Sequence, residues 1–252
     1  MPDRFESFLG ELAFEVRYAY GHGYLDHCGQ TMIDIERSKP DWVAGDVSPQ
    51  SGSLQNPKKG YLAVFDSRRF VLSAVRPRDT KGFAEEAQSL WTIVRDNLGL
   101  FDFLRVGCRF NYYLPTRSLE DAEAKLVKAN LNVTYPKDLS DYRPKFREMV
   151  LTLERQGVEY RVALRGVTRT EGAVSASSLI SADPRSLSSH QREARIEAIK
   201  AQAAYNKSPE YAVHLDIDCA QCEQQQVKPS AYILDCESII KADFLRLLTS
   251  LR

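Results

Sequence analysis

Three stretches of the chain alternate between apolar and polar side chains with a period of two. They are 105–112 (Arg-Val-Gly-Cys-Arg-Phe-Asn-Tyr), 160–165 (Tyr-Arg-Val-Ala-Leu-Arg) and 211–218 (Tyr-Ala-Val-His-Leu-Asp-Ile-Asp). Successive side chains of a strand point to opposite faces, so such alternation predicts strands with one side on the core and one on water. The apolar sides place Val106, Phe110, Leu215 and Ile217 in the interior. The polar sides collect Arg105, Arg109, Arg161, Arg165, His214, Asp216 and Asp218 on a single sheet face. That face is either a salt-bridged surface or a site.

The same reading extends along the chain. Residues 12–20 form a first strand, with Phe14, Val16 and Tyr18 on one side and Glu15 and Arg17 on the other. Leu25, Cys28, Met32 and Ile35 recur at near-helical spacing in 24–39, and Pro40 stops that helix. Residues 44–60 are rich in Gly, Ser, Pro, Asn and Lys and predict a loop. Two short apolar runs, 61–66 and 69–76, flank Ser67-Arg68 as a hairpin. Phe83, Ala87, Leu90, Trp91, Val94 and Leu98 make one helical stripe closed by Gly99, and 104–114 follows as a strand. Strand, helix, strand, strand, helix, strand is the order of the split βαβ in ferredoxin-like domains.

The second half begins with a helix over 119–129, for which Ser118 is the N-cap candidate. Acids stand near its start and lysines near its end, as the helix dipole favours. Residues 130–144 predict a loop, and 146–154 and 158–169 a hairpin around Gln156-Gly157. A strand at 173–180, a helix at 189–205, a strand at 211–219, a polar loop at 220–230 and an amphipathic closing helix at 238–251 complete the reading. The fold class is therefore α+β, mainly antiparallel, with helices on one face of the sheet. A ferredoxin-like unit at 1–116 is followed by a related α+β unit at 117–252, packed against the first or continuous with it.

Composition narrows the function classes. A chain of 252 residues is long enough to bury a substantial core. Lys+Arg and Asp+Glu number 34 each, which removes the global basic excess that argues for nucleic acid or an anionic membrane surface. No window approaches the ~20 apolar residues of a spanning helix, and the start lacks the pattern of a signal peptide. Five irregularly spaced cysteines without an export signal predict free thiols and a cytoplasmic location.

Several short motifs resemble a sporadically distributed family of uncharacterised bacterial proteins of about this length. They are Phe14-Glu15-Val16-Arg17-Tyr18, Arg105-Val106-Gly107-Cys108-Arg109 after a Trp-bearing helix, Leu215-Asp216-Ile217-Asp218 before a C-terminal helix, and the tail Phe244-Leu245-Arg246-Leu247-Leu248-Thr249. The resemblance implies a fold more than an activity. Scattered occurrence of that kind fits mobile cassettes such as defence or toxin–antitoxin loci.

Four constellations bear on chemistry. His214-x-Asp216-x-Asp218 sets an imidazole and two carboxylates along one strand face, a donor set for Mg²⁺ or Mn²⁺. The competing reading pairs those acids with Arg105, Arg109, Arg161 or Arg165 across strands. The same arginines suit phosphate or carboxylate groups, with Asn111 and Tyr113 beside them. Cys219-x-x-Cys222 supplies half of a tetrahedral zinc site, for which Cys236 and His214 are the remaining candidates. His22, His27 and Cys28 cluster at a strand-to-helix turn whose glycines serve the turn itself. Lys58-Lys59 predicts a solvated basic tip. The chain holds no G-x-S-x-G, Walker loop, G-x-G-x-x-G or H-E-x-x-H.

The expected function is a non-enzymatic component that binds another protein, without cofactor or metal. The charged sheet face or the 40–60 loop would be the contact surface, and long polar loops at 40–60, 130–145 and 220–230 in an otherwise regular domain motivate that reading. The rivals are a metal-dependent phosphoester hydrolase using His214, Asp216 and Asp218, and a nucleotide- or RNA-binding module using the arginine-bearing face.

Overall fold

A computed structural model describes residues 8–131, 148–168, 192, 193, 195, 196 and 209–249. Its centre is one nine-stranded antiparallel sheet in the order β2-β3-β4-β5-β1-β6-β9-β8-β7. The strands are β1 Leu9–Tyr18, β2 Val43–Val47, β3 Gly52–Asn56, β4 Tyr61–Phe65, β5 Arg69–Val75, β6 Phe103–Thr116, β7 Glu148–Arg155, β8 Val158–Thr168 and β9 Tyr211–Gln224. The helices are α1 Gly23–Ser38, α2 Thr80–Leu98, α3 Leu119–Lys128 and α4 Pro229–Ile239. A π turn over Ile240–Phe244 joins α4 to the short α5, Leu245–Thr249. The pairing of β6 with β9 carries the sheet without interruption across position 116.

Side-chain parity explains where the core lies. Phe14 on β1 pairs with Leu72 on β5 and Cys108 on β6, and Cys108 pairs in turn with Cys219 on β9. These residues share one face and pack against Phe83, Leu90 and Trp91 of α2 and Ile233 and Cys236 of α4 in a single buried cluster. Val106, Phe110, Leu215 and Ile217 belong to it, as their alternation requires. Trp91 is a hub: its ring stands within 6.3 Å of Tyr18, 5.7 Å of Phe70 and 5.4 Å of Phe103. Helix α3 lies on the same side, because a Cβ on Gly166 of β8 would sit 2.9 Å from Leu119; the bare glycine lets that helix approach the strand.

Local signals place the elements. The Asp79 side chain accepts the Gly82 N–H at the start of α2, and Gly99 ends it in the left-handed conformation (φ 61°). Ser118 accepts the Asp121 N–H and starts α3. Gln156 and Gly157 both have positive φ (55° and 74°), the two-residue type I′ turn that matches strand twist. The β4–β5 turn is held by the Asp66 carboxylate, which accepts the N–H groups of Arg68 and Arg69.

Four expectations are corrected. Residues 44–60 contain the hairpin β2–β3 rather than a loop, with Leu54 and Asn56 buried. The core stripe of α1 uses Tyr24 in place of Leu25, which is 71% exposed. Strand β9 runs on to Gln224 through the start of the expected 220–230 loop. The C-terminal helix begins at Pro229, nine residues before the expected start at 238, and proline at its first position is a start signal. The expected strand at 173–180 and most of the 130–144 loop and the 189–205 helix lie outside the described residues; Arg192, Glu193, Arg195 and Ile196 are helical.

Candidate functional site

The face of the sheet away from the helices carries all seven polar residues of the alternating strands, because β6, β9 and β8 pair in consecutive register. Arg109 stands opposite Asp218, which stands opposite Arg161; His214 stands between Tyr113 and Arg165. The strands thus bring the seven together on one face, and their carboxylates and guanidinium groups form cross-strand ion pairs.

Arg109 does not bond its register partner. Its guanidinium runs diagonally to Asp216 and holds both carboxylate oxygens, Nε to Oδ1 at 2.7 Å and Nη2 to Oδ2 at 2.5 Å. Arg161 approaches the same carboxylate at 3.9 Å. Asp216 is buried while Arg109 keeps half its side chain in solvent (7% against 51% exposed), so Arg109 screens the acid from water. The bidentate bond to Asp216 also pushes the Arg109 pKa up.

Arg105 bridges three strands. It reaches Glu15 on β1 at 3.0 Å and Asp218 on β9 at 2.9 Å. Gly107 makes this possible: a Cβ there would lie 2.5 Å from Arg105 Nη1, so the guanidinium occupies the space that a side chain would fill. Glu15 also takes Arg17 at 2.6 Å and Arg69 of β5 at 3.6 Å. Neither Glu15 nor Arg69 belonged to the expected site, although Glu15 shares the parity of the alternating face. What β1 and β5 contribute there depends on which strands neighbour β6.

His214 sits in the middle of the face and is buried. Its ring stacks on Tyr113 (centroids 4.7 Å apart, planes within 9°) and its Nε2 lies 2.8 Å from Asn111 Oδ1. Asn111 Nδ2 in turn donates to Glu11 at 3.3 Å. Burial, followed by the nearby Arg165 and Arg109 charges, lowers the His214 pKa to about 4, against the upward pull of Asp216. The imidazole is therefore neutral at pH 7. With the Asn111 amide donating to Glu11, the neutral ring donates its Nε2–H to Asn111. Burial pushes Glu11 upward, with Arg109 opposing.

The remaining candidates separate. Cys219 points into the core beside Cys108 and Cys236, where the Tyr232 hydroxyl donates to the Val106 and Cys219 carbonyls. Burial pushes the Cys108 thiol up; contact with Cys236, followed by burial, does the same for Cys219. Cys222 is exposed on the opposite side of β9, with His214. A spacing of three in a strand puts two residues on opposite faces, so Cys219, Cys222, Cys236 and His214 do not converge. Cys28 is buried, whereas His22 turns toward Tyr20 (6.2 Å) and His27 is exposed; no Cys–His pair forms there. Among the described residues, no group of three or more His, Cys, Asp or Glu side chains is placed to hold a metal ion.

Lys58 and Lys59 are exposed, as expected of a basic tip, and each is also ion-paired. Lys58 pairs with Asp41 at 2.6 Å, and Lys59 reaches Glu86 at 2.6 Å. Glu86 is a buried carboxylate on α2 that also holds Lys39 at 2.7 Å and accepts the Trp42 indole N–H at 3.0 Å. Burial alone would raise its pKa, but the hydrogen bonds from Lys39, Lys59 and Trp42 outweigh that and lower it. This clamp joins α1, α2 and the β3–β4 turn. Its sequence signal was an acid three residues after Phe83 and four before Leu90, on the apolar stripe itself.

No protein-family model matches this chain, and no curated protein matches it. Among the described residues, no helix is long and apolar enough to cross a membrane. The charged face can do two things chemically: hold its strands in register through paired charges, and present arginine edges to a solvent-borne group. Asp216 gives one lone pair of each oxygen to Arg109, so its carboxylate is committed first to that ion pair.

Proposed function

We propose that this protein is a binding component without catalysis of its own, and that it takes an extended segment of another protein at the outer edge of β7. The observation that carries this reading is the character of that strand. Among the described residues β7 ends the sheet, and Val150, Leu151 and Leu153 on it are 42%, 43% and 44% exposed. Exposed apolar side chains on an edge strand offer both an unpaired backbone ladder and apolar contacts, the two elements of recognition by strand addition.

The hairpin geometry says which backbone groups are available. In a two-residue hairpin the closing pair, here Arg155 and Val158, is hydrogen-bonded, and bonded and non-bonded pairs then alternate. Val150, Thr152 and Glu154 therefore turn their N–H and C=O groups away from β8. A partner strand bonding there would meet Leu151 and Leu153 on the helix side of the sheet. The preferred partner is an antiparallel extended segment with apolar residues at two alternate positions.

Thr152→Pro tests this. It removes an outward N–H and leaves the bonds to β8 intact, a position where edge strands tolerate proline. The tagged full chain, cross-linked in its native host and mapped by mass spectrometry, should give partner cross-links centred on β7. Those cross-links should vanish in Thr152→Pro and Leu151→Lys and persist in Lys58→Ala. Retention of the same partner by a folded Thr152→Pro protein would refute the reading.

Two finer statements belong to this proposal. We read β4, β5, β1 and β6 with α1 and α2 as a ferredoxin-like unit. In support, β1 and β4 run in the same direction with β5 antiparallel between them. A defence-type or toxin–antitoxin setting in bacteria rests on the family resemblance alone. Of the rival readings, nucleotide binding gains an observation of its own, away from the sheet face.

A further inference from the structure

A cavity of about 550 Å³ opens between the C-terminal half of α2, the start of β6 and the loop that leads from β9 into α4. We infer that it binds a small anion bearing a planar ring, of the nucleoside monophosphate class. This site is separate from the β7 edge and does not depend on it.

Three properties of the lining point to such a ligand. The first is charge. Arg95 and Lys228 line the cavity, and among the described residues no carboxylate does. Asp96 engages Arg95 from the side through Nε and Nη2. Lys228 is exposed and makes no ion pair among the described residues. It is also the residue before the first turn of α4; a lysine has no acceptor, so that helix starts without a side-chain cap. The cationic end of the helix dipole adds to the Lys228 charge at this rim.

The second is a flat apolar surface. Leu100, Phe103 and Val227 are buried at the base, while Phe101 is 61% exposed at the rim. The outer ring of this rim is already ordered, since Phe101 stacks on Tyr20 at 5.4 Å with planes 22° apart. An exposed aromatic held in place by a second ring is a stacking platform for a base. The third is amide chemistry. Gln225 and Gln226 are exposed at the mouth, donors and acceptors suited to the edge of a base. The volume falls in the range of about 300–1,000 Å³ usual for small-molecule sites.

The arrangement separates ring from phosphate: the ring packs on Phe101, and the phosphate lies toward Lys228 and Arg95. Titration calorimetry of the full chain with adenosine 5′-monophosphate, adenosine and inorganic phosphate tests it. Adenosine monophosphate should bind more tightly than either fragment. Lys228→Ala and Phe101→Ala, both at exposed positions that leave the core untouched, should each weaken it at least tenfold. Arg161→Ala, on the sheet face, should leave binding unchanged. Three results would overturn the inference: no binding of the monophosphate up to millimolar concentration, phosphate alone binding as tightly as the monophosphate, or a loss that follows Arg161→Ala instead. Because these variants leave β7 intact, either proposal can fail without the other.

Discussion

The two faces of the sheet solve the same problem with different chemistry. On the helix side, β1, β6 and β9 present Phe14, Phe110 and Ile217 to a close-packed apolar layer. On the other side the same three strands present Glu15, Arg105 and Asp218, joined by ion pairs. Apolar burial is non-directional and scales with area, so the helix side supplies most of the stability. Cross-strand charges contribute little each but are directional. A one-residue slip would turn the charged set to the core and the apolar set to water. The helix side holds the sheet together; the charged side helps to say which register it holds.

The comparison can be broken from either side. Phe110→Ala should cost about 3–5 kcal/mol, the usual loss for truncating a buried aromatic, read from urea unfolding. If it cost less than 1 kcal/mol, the helix side would not be the main source of stability.

The middle of the charged face should respond to pH. His214 has its pKa lowered from 6.5 to about 4 in the folded chain, so between those values the unfolded state binds more protons. Stability contributed by the neutral ring is fully present above about pH 6.5 and declines as pH falls toward 4, by up to about 3 kcal/mol. Glu11, whose pKa is raised, works in the opposite direction, so the informative quantity is the difference between the parent and His214→Gln. That difference should shrink as pH falls from 6.5 to 4. A difference independent of pH would mean that the ring is already protonated in the fold.

Arg109→Ala should cost about 2–3 kcal/mol. This is below the 3–5 of a wholly buried pair, because Arg109 is half exposed and Arg161 remains within 3.9 Å of Asp216. Arg161→Ala should cost under about 1 kcal/mol in the same urea titration. Equal losses for the two would place Asp216 in solvent. The smallest effect is expected at Lys58→Ala, whose pair with Asp41 is exposed on both sides; a change within about 0.5 kcal/mol is predicted.

Much of the fold was legible because its signals are local. Alternation in 105–112 and 211–218 assigned each side chain to a face. The Asp79 and Ser118 caps, Gly99 and the Gln156-Gly157 turn all act within a few residues of themselves. The β2–β3 hairpin was not legible because two of its buried positions are polar: Gln55 and Asn56 are buried beside Leu54, and Asn56 Oδ1 accepts the Lys59 N–H. Polar residues look like loop until a partner is known. Tyr24 displaced Leu25 from the core of α1 for a similar reason, since its hydroxyl has an acceptor, the Ser48 carbonyl.

The chain's own order of residues was enough to say which side chains share a face, since parity along a strand and periodicity along a helix are properties of the covalent backbone. It named the seven polar positions and left open whether they were a site or a surface. Only the packed sheet decided that Arg109 takes Asp216 rather than Asp218, that Arg105 lies over Gly107 between Glu15 and Asp218, and that Glu86 is held by two lysines. Those partners are separated by 20 or more positions in the chain. Their meeting depends on strand order, which follows from how the whole apolar surface is buried at once and not from any local run of residues.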